Sequence, residues 1–150
     1  MGLDQGTELS REATDAILSR HETGVLSLAR GDEPYSIPIS YGYSSAEGQF
    51  YLRLVSNADS QKERFLVDSS RARFVVYEED DPVYRSVVAT GTLQCIPRDE
   101  VTTEQIEQFG QAKRPLFEIW GEEWATLDVT LYRLVPEQLS GRRIVIDREA

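Results

Sequence analysis

Lysine is nearly missing from this chain of 150 residues: only Lys62 and Lys113 stand against fourteen arginines. Cysteine, histidine and methionine occur once each, as Cys95, His21 and Met1. A single cysteine rules out an internal disulfide and any cysteine-based metal cluster. A single histidine rules out a paired-imidazole metal site or relay, and no metal is expected. No stretch approaches the ~20 consecutive apolar residues of a membrane span. No charged start followed by an apolar run marks a signal peptide, so a soluble, cytoplasmic protein is expected. Positive charge is also short: sixteen basic residues face twenty-six acidic ones, a net charge of −10. Such a chain releases few counterions from a nucleic acid and finds little attraction at an anionic membrane, which excludes both as partners. The sequence lacks GxSxG, a P-loop and a GxGxxG dinucleotide fingerprint.

Carboxylates are plentiful instead. The acidic, lysine-poor balance fits a halophile-like surface kept hydrated by carboxylates, and equally an ordinary acidic cytosolic protein. Hydrophobic residues make up 40% of the chain, enough for one core. With no repeats and no long linker, residues 1–150 read as a single domain, with 1–8 flexible.

Hydrophobic alternation supplies most of the expected elements. A helix opens at Ser10 and ends near Arg20 or His21, with Ala13, Ala16 and Ile17 on one side. Strands are expected over Thr23–Arg30, Tyr35–Tyr43, Gln49–Leu54, Arg71–Glu78, Val83–Ile96 and Trp124–Val135. Pro38 inside the second marks an edge position or a break in pairing, and Gly91 inside the fifth marks a bulge or bend. Further helices are expected from Ser60, capped with Glu63, and from Thr102, capped with Gln105. Short turns imply antiparallel pairing. The expected fold is mainly β with peripheral helices, a closed or nearly closed antiparallel barrel of about six strands.

The segment Phe50–Leu66 carries the clearest chemistry. A strand ends near Arg53, a polar loop follows, and a helix opens at Ser60-Gln61-Lys62. Basic side chains and free backbone N–H groups meeting at a helix N-terminus form a cradle for phosphate. A lysine in a first helical turn opposes the positive end of the helix dipole, and a bound anion removes that conflict. Arg53 suits a bidentate phosphate contact, though it would serve equally in a surface ion pair. Tyr41 reads either as a ring stacked beside a ligand or as a core residue. His21, at a helix C-terminus, is expected to cap rather than to catalyse. Cys95 reads as a buried structural thiol, and Glu78-Glu79-Asp80-Asp81 as a solvated charge run in a turn.

Taken in order, Pro38-Ile39-Ser40-Tyr41-Gly42-Tyr43, Phe50-Tyr51-Leu52-Arg53, Ser60-Gln61-Lys62-Glu63-Arg64 and Tyr84-Arg85-Ser86-Val87-Val88-Ala89-Thr90-Gly91 resemble the pyridoxamine 5'-phosphate oxidase-like, FMN-binding split-barrel superfamily. The likeness is greatest to its small nitroimidazole-resistance-type flavoproteins, and covers roughly Ala16 to Pro97. It implies a split barrel that forms a homodimer, with FMN at the interface. Pro38, Ile39, Ser40 and Tyr41 would run beside the flavin ring. Arg53, Ser60 and Lys62, with Gln61 between the last two, would hold the phosphate. Arg85 and Ser86 would lie near the ring or phosphate, from the neighbouring strand or across the dimer. Nitroimidazole-type relatives often carry histidine where this chain has Arg53, which strengthens the anion site here and separates it from their substrate chemistry. The implied function is an FMN-dependent oxidoreductase acting on a small organic substrate. The alternatives are a non-catalytic flavin-binding or redox-sensing protein, and a deazaflavin-binding relative. The flavin does the redox chemistry in such proteins, and no catalytic residue is assigned.

Overall fold

The computed structural model describes residues 6–56, 71–96 and 128–146. The helices expected from Ser60 and Thr102, and the start of the strand expected at Trp124, lie outside these residues. Along the chain come β1 (Thr7–Glu8), α1 (Arg11–Arg20), β2 (Thr23–Arg30), β3 (Glu33–Ser44), β4 (Gln49–Ser56), β5 (Arg71–Asp80), β6 (Val83–Cys95) and β7 (Asp128–Val145). The sheet runs β1-β7-β4-β3-β2-β5-β6, and β6 pairs back onto β7. All pairings are antiparallel. Strands β2 to β7 therefore form a ring, the split antiparallel β-barrel expected from the sequence.

Period-two alternation decides which side chains fill the barrel. Leu26, Ile39, Phe50, Leu52, Phe74, Val76, Val87, Ala89 and Leu134 point inward and are essentially solvent-free. Tyr41, Phe50 and Phe74 meet edge-on or tilted at its centre, with ring centroids 5.3–5.8 Å apart. Gly24 is required by this packing, since any Cβ there would strike the Phe74 ring.

Helix α1 starts where the Ser10 hydroxyl accepts from the Ala13 N–H at 3.1 Å and stops at the His21 C-cap. Its buried residues are Thr14, Ile17 and Leu18, whereas Ala16 faces solvent. The expected apolar face was thus rotated, because two bulky aliphatic residues bury more area than two alanines.

Strand β7 corrects the expectation most. It runs ten residues past Val135, through Pro136 and Gly141, and pairs with β6 from Tyr132 to Val145. Its polar tail is held by ladder bonds rather than by apolar alternation, so periodicity did not reveal it. The register shifts between Thr90 and Gly91, where Gly91 lies against Val135 and Pro136 with no room for a Cβ. Thr7 and Glu8, expected to be flexible, pair with Arg143 and Arg142. Cys95 is exposed rather than buried, because the inward row that holds Leu93 runs out of the barrel end at this last residue of β6.

Candidate functional site

The split in the barrel lies between β3 and β4. These strands pair only from Tyr41–Leu52 to Ser44–Gln49. Beyond that point β3 is paired with β2, back to Glu33, and β4 with β7, out to Ser56. Ser40 and Arg53 are the first residues on either side of the opening. Pro38 sits on the β3 arm of this fork, where a missing N–H costs no ladder bond. The Tyr41 N–H donates to the Glu22 carbonyl at 3.0 Å, on the β2 side. Antiparallel alternation then turns the N–H and C=O of Ser40 toward the fork, and those of Ile39 toward β2.

Arg53 projects outward from β4, in the same row as Gln49 and Tyr51. Burial is what acts on its guanidinium, lowering its pKa from the usual arginine value. Its Nε is buried and has no hydrogen-bond partner. The other two buried, unpartnered side-chain polar atoms among the described residues, Gln49 Oε1 and Arg133 Nε, are on the same outward face. Arg133 is directly opposite Tyr51 and donates through Nη2 to Gln94 Oε1 at 2.9 Å. A desolvated cation with an idle donor is costly unless an anion or another acceptor completes it.

The other predicted site residues separate into groups. Ser40 is buried and Pro38 half-buried, both on the outward row at the fork. Ile39 and Tyr41 point into the core; the Tyr41 hydroxyl donates to the Leu18 carbonyl at 2.7 Å. Of the two readings of Tyr41, the core one describes its ring. Ser60, Gln61 and Lys62 lie outside the described residues. Arg85 and Ser86 point to opposite sides of β6. Ser86 is outward, paired with Tyr77 and Arg142, while Arg85 shares the inward row with Val87 and donates to Glu78 Oε2 at 3.1 Å.

Glu78 was read as part of a solvated charge run. It is instead the hub of an ion-pair cluster at the barrel mouth. Arg20 holds it through two bonds of 2.9 Å, His21 Nε2 lies 2.7 Å from Oε1, and Arg85 completes the group. The hydrogen bond from Arg20 is the main cause, with that of His21 adding to it, of a Glu78 pKa lowered to about 2. The signal was present in the sequence: Phe74, Val76 and Glu78 share one parity, so Glu78 continues the inward row. His21 is the C-cap residue of α1, as expected, and its ring is also tied to the sheet. No group of three or more potential metal ligands occurs among the described residues. None of their helices is long and apolar enough to cross a membrane.

No curated protein matches the chain in sequence. Solved structures do match its fold. A protein from Corynebacterium glutamicum, assigned as a pyridoxamine 5'-phosphate oxidase, superimposes with a TM-score of 0.70 at 20% identity, covering 99% of this chain and 100% of its own. An FAD-binding protein from Mesorhizobium loti gives 0.69 at 22% identity, covering 93% and 97%. A protein from Bacteroides thetaiotaomicron, assigned to 5-nitroimidazole antibiotic resistance, gives 0.68 at 11% identity, covering 96% and 92%. The family model described as pyridoxamine 5'-phosphate oxidase matches residues 10–143, which span the helix, the whole ring of strands and both sides of the fork. By that match the chain belongs to the pyridoxamine 5'-phosphate oxidase family.

Proposed function

We propose that this protein binds a flavin at the β3–β4 fork, with FMN as the cofactor, and that it is an oxidoreductase acting on a small organic substrate. The observation that carries the reading is Arg53: a desolvated guanidinium whose buried Nε has no partner, at the mouth of the split. A phosphate supplies the missing acceptor and the compensating charge. The FAD-binding relative from Mesorhizobium loti supports a flavin as the phosphate's bearer.

Arg53 would hold the phosphate together with Ser60, Gln61 and Lys62. Pro38 and Ser40 would border the ring, with Ser40 offering backbone and hydroxyl hydrogen bonds at its polar edge. Arg85, tied to Glu78, contributes to the barrel mouth rather than to this grip. When bound, the flavin supplies the electron transfer, and the protein's share is position, polarity and access. The partial burial of Arg53 lowers the local dielectric and would strengthen its attraction for the anion.

A homodimer is part of the proposal. Pro38, Val25, Val75 and Val88 lie in one outward row across β3, β2, β5 and β6, and exposed Tyr77 and Ser86 are in the next. An apolar stripe beside a polar one on a sheet face suits a second copy that closes over the fork.

The experiment is titration of the flavin-free chain with FMN and with FAD, followed by flavin fluorescence, beside light scattering for mass. Saturable binding of FMN to a dimer is expected. A colourless protein that leaves both flavins unbound overturns the reading, and tighter FAD binding replaces the cofactor. Anaerobic mixing of the loaded protein with NADH or NADPH then tests the oxidoreductase half, which fails if the flavin stays oxidised with either donor.

A further inference from the structure

The face that carries Arg53 holds a second arginine in the same condition. Strands β4 and β7 pair so that Arg53 is directly opposite Leu131, and Arg133 directly opposite Tyr51. Directly opposite residues share a face, and residues two apart along a strand return to it. Arg53 and Arg133 are therefore diagonal neighbours on the outward face, a relation that sets residues of an antiparallel pair roughly 7–8 Å apart. Two arginine side chains span that separation easily. Both residues are half-buried, and in both the Nε is buried without a hydrogen-bond partner.

Arg133 is held from its far side. Gln94, opposite it on β6, accepts from Nη2 through Oε1 at 2.9 Å. A neutral amide directs a guanidinium but does not balance its charge. Neither Arg53 nor Arg133 makes an ion pair among the described residues, although acidic residues outnumber basic ones by twenty-six to sixteen. Arg11, Arg20, Arg71 and Arg85 each hold a carboxylate. A fully exposed arginine goes without one because water solvates it; a half-buried pair does so at greater cost. Side by side, the two like charges also repel, more strongly where the surroundings are partly dry. A singly charged anion between them leaves one positive charge unbalanced, and a dianion balances both. The third idle atom of this face, Gln49 Oε1, lies two residues from Tyr51 on the side away from the fork. It is an acceptor, which an anion does not use.

We propose that Arg133 is the second cationic arm of the anion site at the fork, and that Arg53 and Arg133 together select a dianionic phosphate monoester over singly charged and uncharged ligands. Each Nε donates to a phosphate oxygen, and Gln94 is the positioning residue that holds Arg133 in place. The second arm rests on the reading of Arg53 as an anion site and names what that site demands. The demand is a terminal phosphate, whose second proton leaves near pH ~6. In the flavin reading this is the phosphate of FMN.

The flavin-free chain is titrated with FMN, riboflavin, phenyl phosphate and phenyl sulfate at about pH 5 and about pH 8, on either side of the phosphate's second proton. Wild type should bind phenyl phosphate at least about fivefold more tightly at the higher pH. Phenyl sulfate, singly charged at both, should show no such rise. Equal rises, or no saturable binding of phenyl phosphate at the higher pH, overturns the proposal. Arg133→Met keeps the apolar stem and removes the charge. Its affinity for FMN and for phenyl phosphate should fall at least about tenfold, and its pH rise should shrink, while riboflavin binding stays the same. A folded variant that keeps wild-type phosphate affinity, or that loses FMN and riboflavin equally, refutes the second arm. Gln94→Met, at an exposed position, should weaken phenyl phosphate about threefold; unchanged affinity refutes the positioning role. Phenyl phosphate bound with FMN left unbound strikes the flavin reading and leaves the dianion site standing. FMN bound equally by wild type and Arg133→Met does the reverse. Circular dichroism establishes folding of each variant.

Discussion

Arg20 grips Glu78 through two parallel hydrogen bonds, Nε to Oε1 and Nη2 to Oε2, each 2.9 Å long. The pair joins the last turn of α1 to β5 across 58 residues of sequence, and His21 and Arg85 converge on the same carboxylate. The helix is thereby fixed over the barrel mouth, and its edge leaves a cavity beside β3.

This cluster makes stability depend on acid. The Glu78 pKa falls from 4.5 to about 2 on folding, mainly through the Arg20 hydrogen bond. A lowered carboxyl pKa gives stability that is complete above about pH 4.5 and lost as pH falls through about 2. The ceiling is about 3 kcal/mol, and because Arg20 is half exposed the measurable share is nearer ~1–2 kcal/mol. Urea unfolding of wild type and Glu78→Gln should differ by that amount at pH 6 and converge near pH 2. Parallel curves throughout would count against the cluster as the cause.

Arg53 is expected to trade stability for binding. Replacing it by Met removes a desolvated cation with an unpartnered Nε and keeps the apolar stem. The flavin-free variant should unfold no earlier than wild type, with a gain of ~0–1 kcal/mol. Its FMN affinity should drop at least a hundredfold. Thermal melts without flavin, beside an FMN titration, check both halves; loss of stability with full binding would contradict the assignment.

Gly91 tests the bulge. A Cβ at this position would overlap the Val135 carbonyl and Pro136 Cα, both backbone groups that have no rotamer to escape into. Gly91→Ala should cost ~2–4 kcal/mol and lower the melting temperature accordingly. Gly31, a turn glycine with nothing within 4 Å of an added Cβ but a φ of +62°, should cost only about 1 kcal/mol as alanine.

Two core tyrosines make separable predictions. Tyr41→Phe leaves the Leu18 carbonyl without its donor and should cost ~1–2 kcal/mol, while FMN binding is unaffected because the ring lies in the core. Burial, assisted by the Asp15 hydrogen bond, raises the Tyr43 pKa from 10.0 to about 12. A raised folded-state pKa gives stability that is whole below about pH 10 and lost as pH climbs through about 12. Tyr43→Phe should therefore flatten the alkaline limb of a stability–pH curve between those values.

Much of the barrel was legible because inward rows such as Leu26–Leu28 and Phe74–Val76 alternate with exposed or half-buried neighbours, and short turns force antiparallel pairing. The glycine at position 91 announced its bulge for the same local reason. The tail of β7 was not legible: Pro136, Gly141 and a pair of arginines break the alternation, and only the ladders offered by β6 and β1 make it a strand. At the site, the sequence singled out Arg53 by its place at a strand's end. It did not show that β3 and β4 part at that residue, since a fork is a property of four strands at once. Nor did it separate Arg85 from Ser86, whose opposite directions matter only once Glu78, Arg20 and His21 are brought to one side.

The sequence by itself determined the class of fold, the family and the arginine most worth testing, because side-chain alternation, turn chemistry and motif order are written locally. Tertiary structure decided which polar groups are satisfied. Glu78 became the half-buried hub of an ion-pair cluster rather than a solvated charge, and Arg53 kept an idle donor. Hydrogen-bond completion depends on partners from distant segments, and no local pattern encodes it.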